Sequence, residues 1–91
     1  MNTLMISYDL IAPGRGYEAL RSFIESPYSK WAKPVESLYL IKTNKTAEAY
    51  RNELQSYLDT NDKVIVIDVT GKAAAWKGLP DTVSNWIKSN L

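Results

Sequence analysis

The chain of 91 residues contains no cysteine and no histidine, only four glycines and one phenylalanine, and its formal charge is just +1. Each absence excludes something. Without cysteine there is no disulfide framework, no thiolate nucleophile and no sulfur-ligated zinc. Without histidine there is no Ser-His-Asp triad, imidazole base or His-ligated metal, and Ser7, Ser37 and Tyr39 have no histidine to activate them. Apolar runs such as Val64-Ile65-Val66-Ile67 stop far short of the roughly 20 residues that cross a bilayer. The stretch after Met1 is broken at Ser7 and Asp9 and lacks a small-residue cleavage site, which predicts a cytoplasmic protein without membrane contact. Any catalysis is left to carboxylates, lysine, tyrosine, serine or a hard, oxygen-ligated cation such as Mg²⁺.

What is present is ordinary globular material, 45% hydrophobic and 23% charged. The length is below the usual domain mode of roughly 100–150 residues, so a single domain over residues 1–91 with one core is expected.

Thr3 to Leu10 alternates with apolar side chains at 4, 6, 8 and 10 and a second-face methionine at 5, the pattern of a buried strand. The loop Ala12-Pro13-Gly14-Arg15-Gly16 leads into Tyr17 to Glu25, where positions 17, 20, 23 and 24 repeat at helical spacing until Pro27. Val35 to Thr43 is rich in strand formers, and Pro34 leaves open one bent strand or two short ones. Thr46 is a good N-cap for a helix over Ala47 to Leu58, with Ala47, Tyr50, Leu54, Tyr57 and Leu58 as its apolar stripe and Glu48 in the first turn. Lys63 to Thr70 reads as a central strand. Past Gly71, Pro80 pre-sets the first turn of a last helix that directs Leu79, Val83, Trp86 and Ile87 to the sheet.

With two strands in the middle the order is βαββαβ, which predicts an α+β, ferredoxin-like sandwich with an extra C-terminal helix. Both inner helices then cover one sheet face. The other is left for the C-terminal helix or a second subunit.

Met5-Ile6-Ser7-Tyr8-Asp9-Leu10, the helix that follows and Glu36-Ser37-Leu38-Tyr39-Leu40-Ile41 resemble, over about residues 3–70, the small CRISPR-associated adaptation subunit of the Cas-two family and the related VapD-type toxin ribonucleases. The resemblance implies a ferredoxin-like homodimer. Some family members are Mg²⁺-dependent nucleases on RNA or double-stranded DNA, and others are structural bridges in the spacer-integration complex. It further implies that Asp9, matching the family's acidic residue at the end of the first strand, holds the divalent cation with its twin near the twofold axis. Two departures stand out: the arginines opening the first helix are reduced to Arg15 and Arg21, and Gly71 to Trp76 replaces a further strand.

Several residues carry candidate chemistry beside Asp9. Asp68, near the end of the last strand, is a possible second carboxylate for a site within one subunit. Gly14-Arg15-Gly16 before a helix would present N–H groups and a guanidinium suited to phosphate, but it lacks the spacing of a dinucleotide or P-loop fingerprint and a flexible loop is the simpler reading. Residues 26–45 hold Lys30, Lys33, Lys42 and Lys45 against Glu36 alone. With Tyr28 and Trp31 interleaved, this stretch suits phosphate contact and base stacking, the alternative being a solvated loop whose Trp31 covers a core edge. Trp76 is a possible anchor for a subunit or ligand, and Trp86 reads as core. Together these features predict a homodimer or higher homo-oligomer that handles nucleic acid or a nucleotide. In the catalytic version it is a Mg²⁺-dependent phosphodiesterase. The alternatives are a non-catalytic oligomer that sequesters a nucleotide with Arg15, Lys30, Trp31 and Lys33, or a structural adaptor.

Overall fold

Alternation in the first strand decides where everything else packs. In the computed structural model, which describes residues 1–11, 17–27 and 29–91, β1 (Asn2–Asp9) directs Leu4 and Ile6 into the core. Thr3, Met5, Ser7 and Asp9 therefore face the other side. α1 (Glu18–Ile24) supplies Leu20 and Ile24 to the same core, and α2 (Ala47–Leu54) supplies Tyr50 and Leu54. The segment left open by the sequence is two strands, β2 (Lys30–Val35) and β3 (Leu38–Thr43), joined through Glu36 and Ser37. β4 (Lys63–Asp68) and α3 (Asp81–Asn90) complete the chain. The result is a mixed α+β arrangement: a four-stranded sheet in the order β2-β3-β1-β4, antiparallel at every pairing, with three helices.

Pro34 sits in β2, an edge strand, where its missing N–H costs no ladder bond. The register slips between Ala32 and Val35 on either side of it. Thr46 caps α2 as expected, its Oγ1 accepting the Ala49 N–H at 3.1 Å. The regular helix stops at Leu54 rather than running to Leu58, and continues as a 3-10 turn over Gln55–Tyr57. The Ser56 hydroxyl donates to the Glu53 carbonyl at 2.9 Å, serving a group that the helix end leaves orphaned. Phe23 bridges the two helices by packing its ring 5.3 Å from Tyr50 and 5.1 Å from Tyr57.

α3 covers part of the second sheet face. It packs against β2 and buries Ile87, while Val83 and Trp86 are half-buried. Its C-terminus is held by β1 and β3. The fully buried Thr3 donates its hydroxyl to the Asn90 carbonyl, and Lys42 Nζ donates to the same oxygen at 2.8 Å. A cation at that end also suits the helix dipole. Main-chain bonds extend the junction: Val69 N–H donates to the Thr3 carbonyl and Gly71 N–H to that of Leu91, both at 2.9 Å. Thr3→Val should therefore cost about 1–3 kcal/mol by stranding buried partners. A thermal melt would show it as a fall of roughly 4–8 °C per kcal/mol; an unchanged Tm would mean that Thr3 does not hold α3.

Over β4 this face stays open, with Ile65 and Ile67 54% and 41% exposed. Among the described residues no helix is long and apolar enough to cross a membrane.

Candidate functional site

Asp9 lies where β1 ends, exposed and directly opposite Lys63 in the ladder. With Ser7 and Ile65 these residues rim a shallow depression of about 240 Å³. Asp68 is not a neighbour. Because β1 and β4 are antiparallel, Asp68 pairs with Leu4 at the other end of the strand, roughly 17 Å along the ladder and on the opposite face. Its carboxylate has local work: it accepts the Thr70 N–H at 3.0 Å and the Thr70 hydroxyl at 2.5 Å. The hydroxyl bond first, and the N–H bond after it, hold the carboxyl below its ordinary range. Strand direction thus removes Asp68 as a second carboxylate beside Asp9 within one subunit. Among the described residues no three acidic groups cluster so as to hold a metal.

The basic and aromatic residues of β2 are divided by the pleat. Lys30 pairs with Lys42 on the face that carries α3, and Trp31 pairs with Ile41 on the face that carries α1 and α2. Lys42 is already committed to Asn90. Trp31 and Lys33 converge on Tyr39. The indole, 36% exposed, meets the Tyr39 ring edge-on with centroids 5.8 Å apart, and Lys33 Nζ stands 5.3 Å from that ring's centre. Behind them Tyr8 stacks on Tyr39 at 6.1 Å, and the Tyr39 hydroxyl donates to Glu25. Burial, followed by the hydrogen bond to Glu25, pushes the Tyr39 phenol far above its ordinary range. An open groove of about 470 Å³ beside this cluster is lined by Glu18, Arg21, Ser22, Glu25 and Lys33. Two cations there face two carboxylates. Arg15, Gly14, Gly16 and Tyr28 lie outside the described residues.

Tyr39 was not among the residues that sequence pattern singled out for a site. Its place in an apolar alternation marks it as core, and nothing local reveals that Trp31, Lys33, Tyr8 and Glu25 gather around it. Asp62 was equally inconspicuous within a turn cluster. Its carboxylate accepts the Ile11 N–H (3.0 Å), the Tyr17 hydroxyl (2.8 Å) and the Asp59 N–H (2.8 Å), tying the end of β1 to the turn before β4. Trp76, 37% exposed, donates its indole N–H to Ser84 at 2.9 Å, so its polar edge is occupied within the chain.

Comparison with known proteins finds no matching family model, no significantly similar curated protein and no significantly similar solved structure.

Proposed function

We propose that this protein is a small oligomeric binder of nucleic acid or of a phosphate-bearing nucleotide, built as a ferredoxin-like sandwich. The strand order β2-β3-β1-β4, antiparallel throughout, with α1 and α2 contributing to one core, supports that architecture. The observation that carries the binding function is the Trp31–Lys33 pair on Tyr39. An accessible indole offers a π-face for a base, and an ammonium beside it offers a charge for phosphate. Lys30, on the opposite face of β2, is not part of this pair. In calorimetric titrations with nucleotides and short oligonucleotides, Trp31→Ala should weaken binding about 5- to 100-fold, the value of one lost stacking contact. Lys33→Ala should flatten the salt dependence. Affinities unchanged by both substitutions would remove the site.

A second reading follows from Asp9 and the Cas-two resemblance: Mg²⁺-assisted phosphodiester hydrolysis. One carboxylate facing Lys63 does not fit a cation by itself, so the Asp9 side chains of two subunits would have to meet at a twofold axis. There a cation would polarise the phosphodiester and acidify an attacking water. In that case Asp9→Asn abolishes Mg²⁺-dependent cleavage of RNA or DNA while leaving Trp31-dependent binding intact. Wild-type protein that binds but never cleaves would leave the non-catalytic function alone.

A further inference from the structure

The two edges of the sheet are built differently. β2 carries Pro34, a register slip between Ala32 and Val35, and Lys30 and Lys33, all features that discourage another strand from adding. β4, at the opposite edge, has neither the proline nor the register slip, and its charges stand only at its two ends. Lys63-Val64-Ile65-Val66-Ile67-Asp68 contains no proline or glycine and keeps an unbroken register against β1. Among the described residues no strand lies beyond it, and Ile65 and Ile67 are exposed. A straight, apolar edge of this kind is a template for pairing.

The hydrogen bond from Val69 N–H to the Thr3 carbonyl sets the phase of the ladder. Backbone groups alternate in direction along a strand, so those of Ile65 and Ile67 point towards β1, and those of Val64, Val66 and Asp68 point outward.

We infer that β4 pairs with β4 of a second copy of this chain, antiparallel about a twofold axis at Val66, joining two sheets into one of eight strands. The strand is complementary to itself in that register. Val66 faces Val66 of the second copy and Val64 faces Asp68, so all three outward residues of each edge are bonded. Ile65 comes opposite Ile67 of the second copy on the face that α3 leaves uncovered, forming two apolar cross-strand pairs. Charge agrees with the same orientation. Asp68 of one copy arrives beside Val64 of the other, where Arg51 and Glu48 line a groove of about 300 Å³ between α2 and β4. Arg51 is the cation on that side, whereas Lys63, one residue further along the strand, lies on the opposite face with Asp9. Parallel pairing would instead set Lys63 against Lys63 and Asp68 against Asp68.

Edge pairing leaves the Trp31–Lys33 surface free at the far side of each sheet. It also places the two Asp9 residues roughly 25 Å apart, so it differs from the face-to-face contact that a shared cation would need.

Light scattering at micromolar concentration should give twice the chain mass of 10.3 kDa. In the dimer the Val64, Val66 and Asp68 amides should exchange about tenfold or more slowly than in the diluted protein. Ile65→Lys, at a position exposed in the single chain, should return the mass to one chain and restore fast exchange without changing the circular dichroism. Register is read by cysteine cross-linking, since the chain has no thiol of its own. Ile65→Cys mixed with Ile67→Cys should oxidise to a covalent heterodimer, and Ile65→Cys alone should not, its sulfurs lying beyond disulfide reach. A wild-type monomer overturns the inference. So does a dimer whose Val64 and Val66 amides exchange as fast as in the single chain.

Discussion

Above pH 10 this protein should lose stability steeply. Tyr39 is fully buried and Tyr50 is 5% exposed, and both phenols are held well above their ordinary range. Burial is the main cause for each, reinforced by Glu25 at Tyr39 and by Glu53 at Tyr50. Tyr8 shifts in the same direction through burial and then Glu25. An unfolded phenol ionises near pH 10. Below that pH both states keep the proton and nothing changes. Above it the unfolded chain releases protons that the folded chain retains, so stability falls by about 1.4 kcal/mol per pH unit for each such group. Tyr39 and Tyr50 together contribute about 3 kcal/mol per unit, against a total of about 5–15 kcal/mol for a typical domain. Circular dichroism and phenolate absorbance, followed together through an alkaline titration, should show these tyrosines ionising only as the chain unfolds. Tyr39→Phe should soften the pH dependence. If all the tyrosines titrate reversibly near pH 10 with the fold intact, the buried cluster is not as described.

Truncating the core should have the largest effect of any single substitution outside that pH range. Leu54 is completely buried where α2 meets the sheet, in one cluster with Leu4, Ile6, Ile24 and Ile41. Leu54→Ala removes this contact and leaves a cavity, at a cost of about 2–5 kcal/mol. For a domain of this size that lowers Tm by more than about 10 °C. A loss below about 1 kcal/mol would show that α2 is not seated on the sheet in this way.

Much of this architecture is legible from local pattern. The period-two alternation at Leu4, Ile6 and Tyr8 marks the core face of β1, and Thr46 announces α2. Pro80 announces α3. The middle of the chain is different. Glu36-Ser37 lacks the Asn-Gly or Gly-X signature of a tight hairpin, so pairing across the sheet decides that two strands lie there. The candidate site divides along the same line. That Lys30 and Trp31 face opposite ways follows from the pleat once a strand is granted. That Asp9 and Asp68 are far apart depends on strand direction, which no local signal carries. The grouping around Tyr39 joins α1, β1, β2 and β3 across long sequence separations, and only the assembled sheet reveals it.

The Thr3 junction gives the molecule two unlike poles. Residues 3 and 90 share a hydrogen bond and residues 71 and 91 another, so both ends of the described chain emerge side by side. Asp9 sits six residues further along β1, about 20 Å away at the opposite pole. A fusion partner or affinity label attached at either end therefore leaves from the side remote from Asp9.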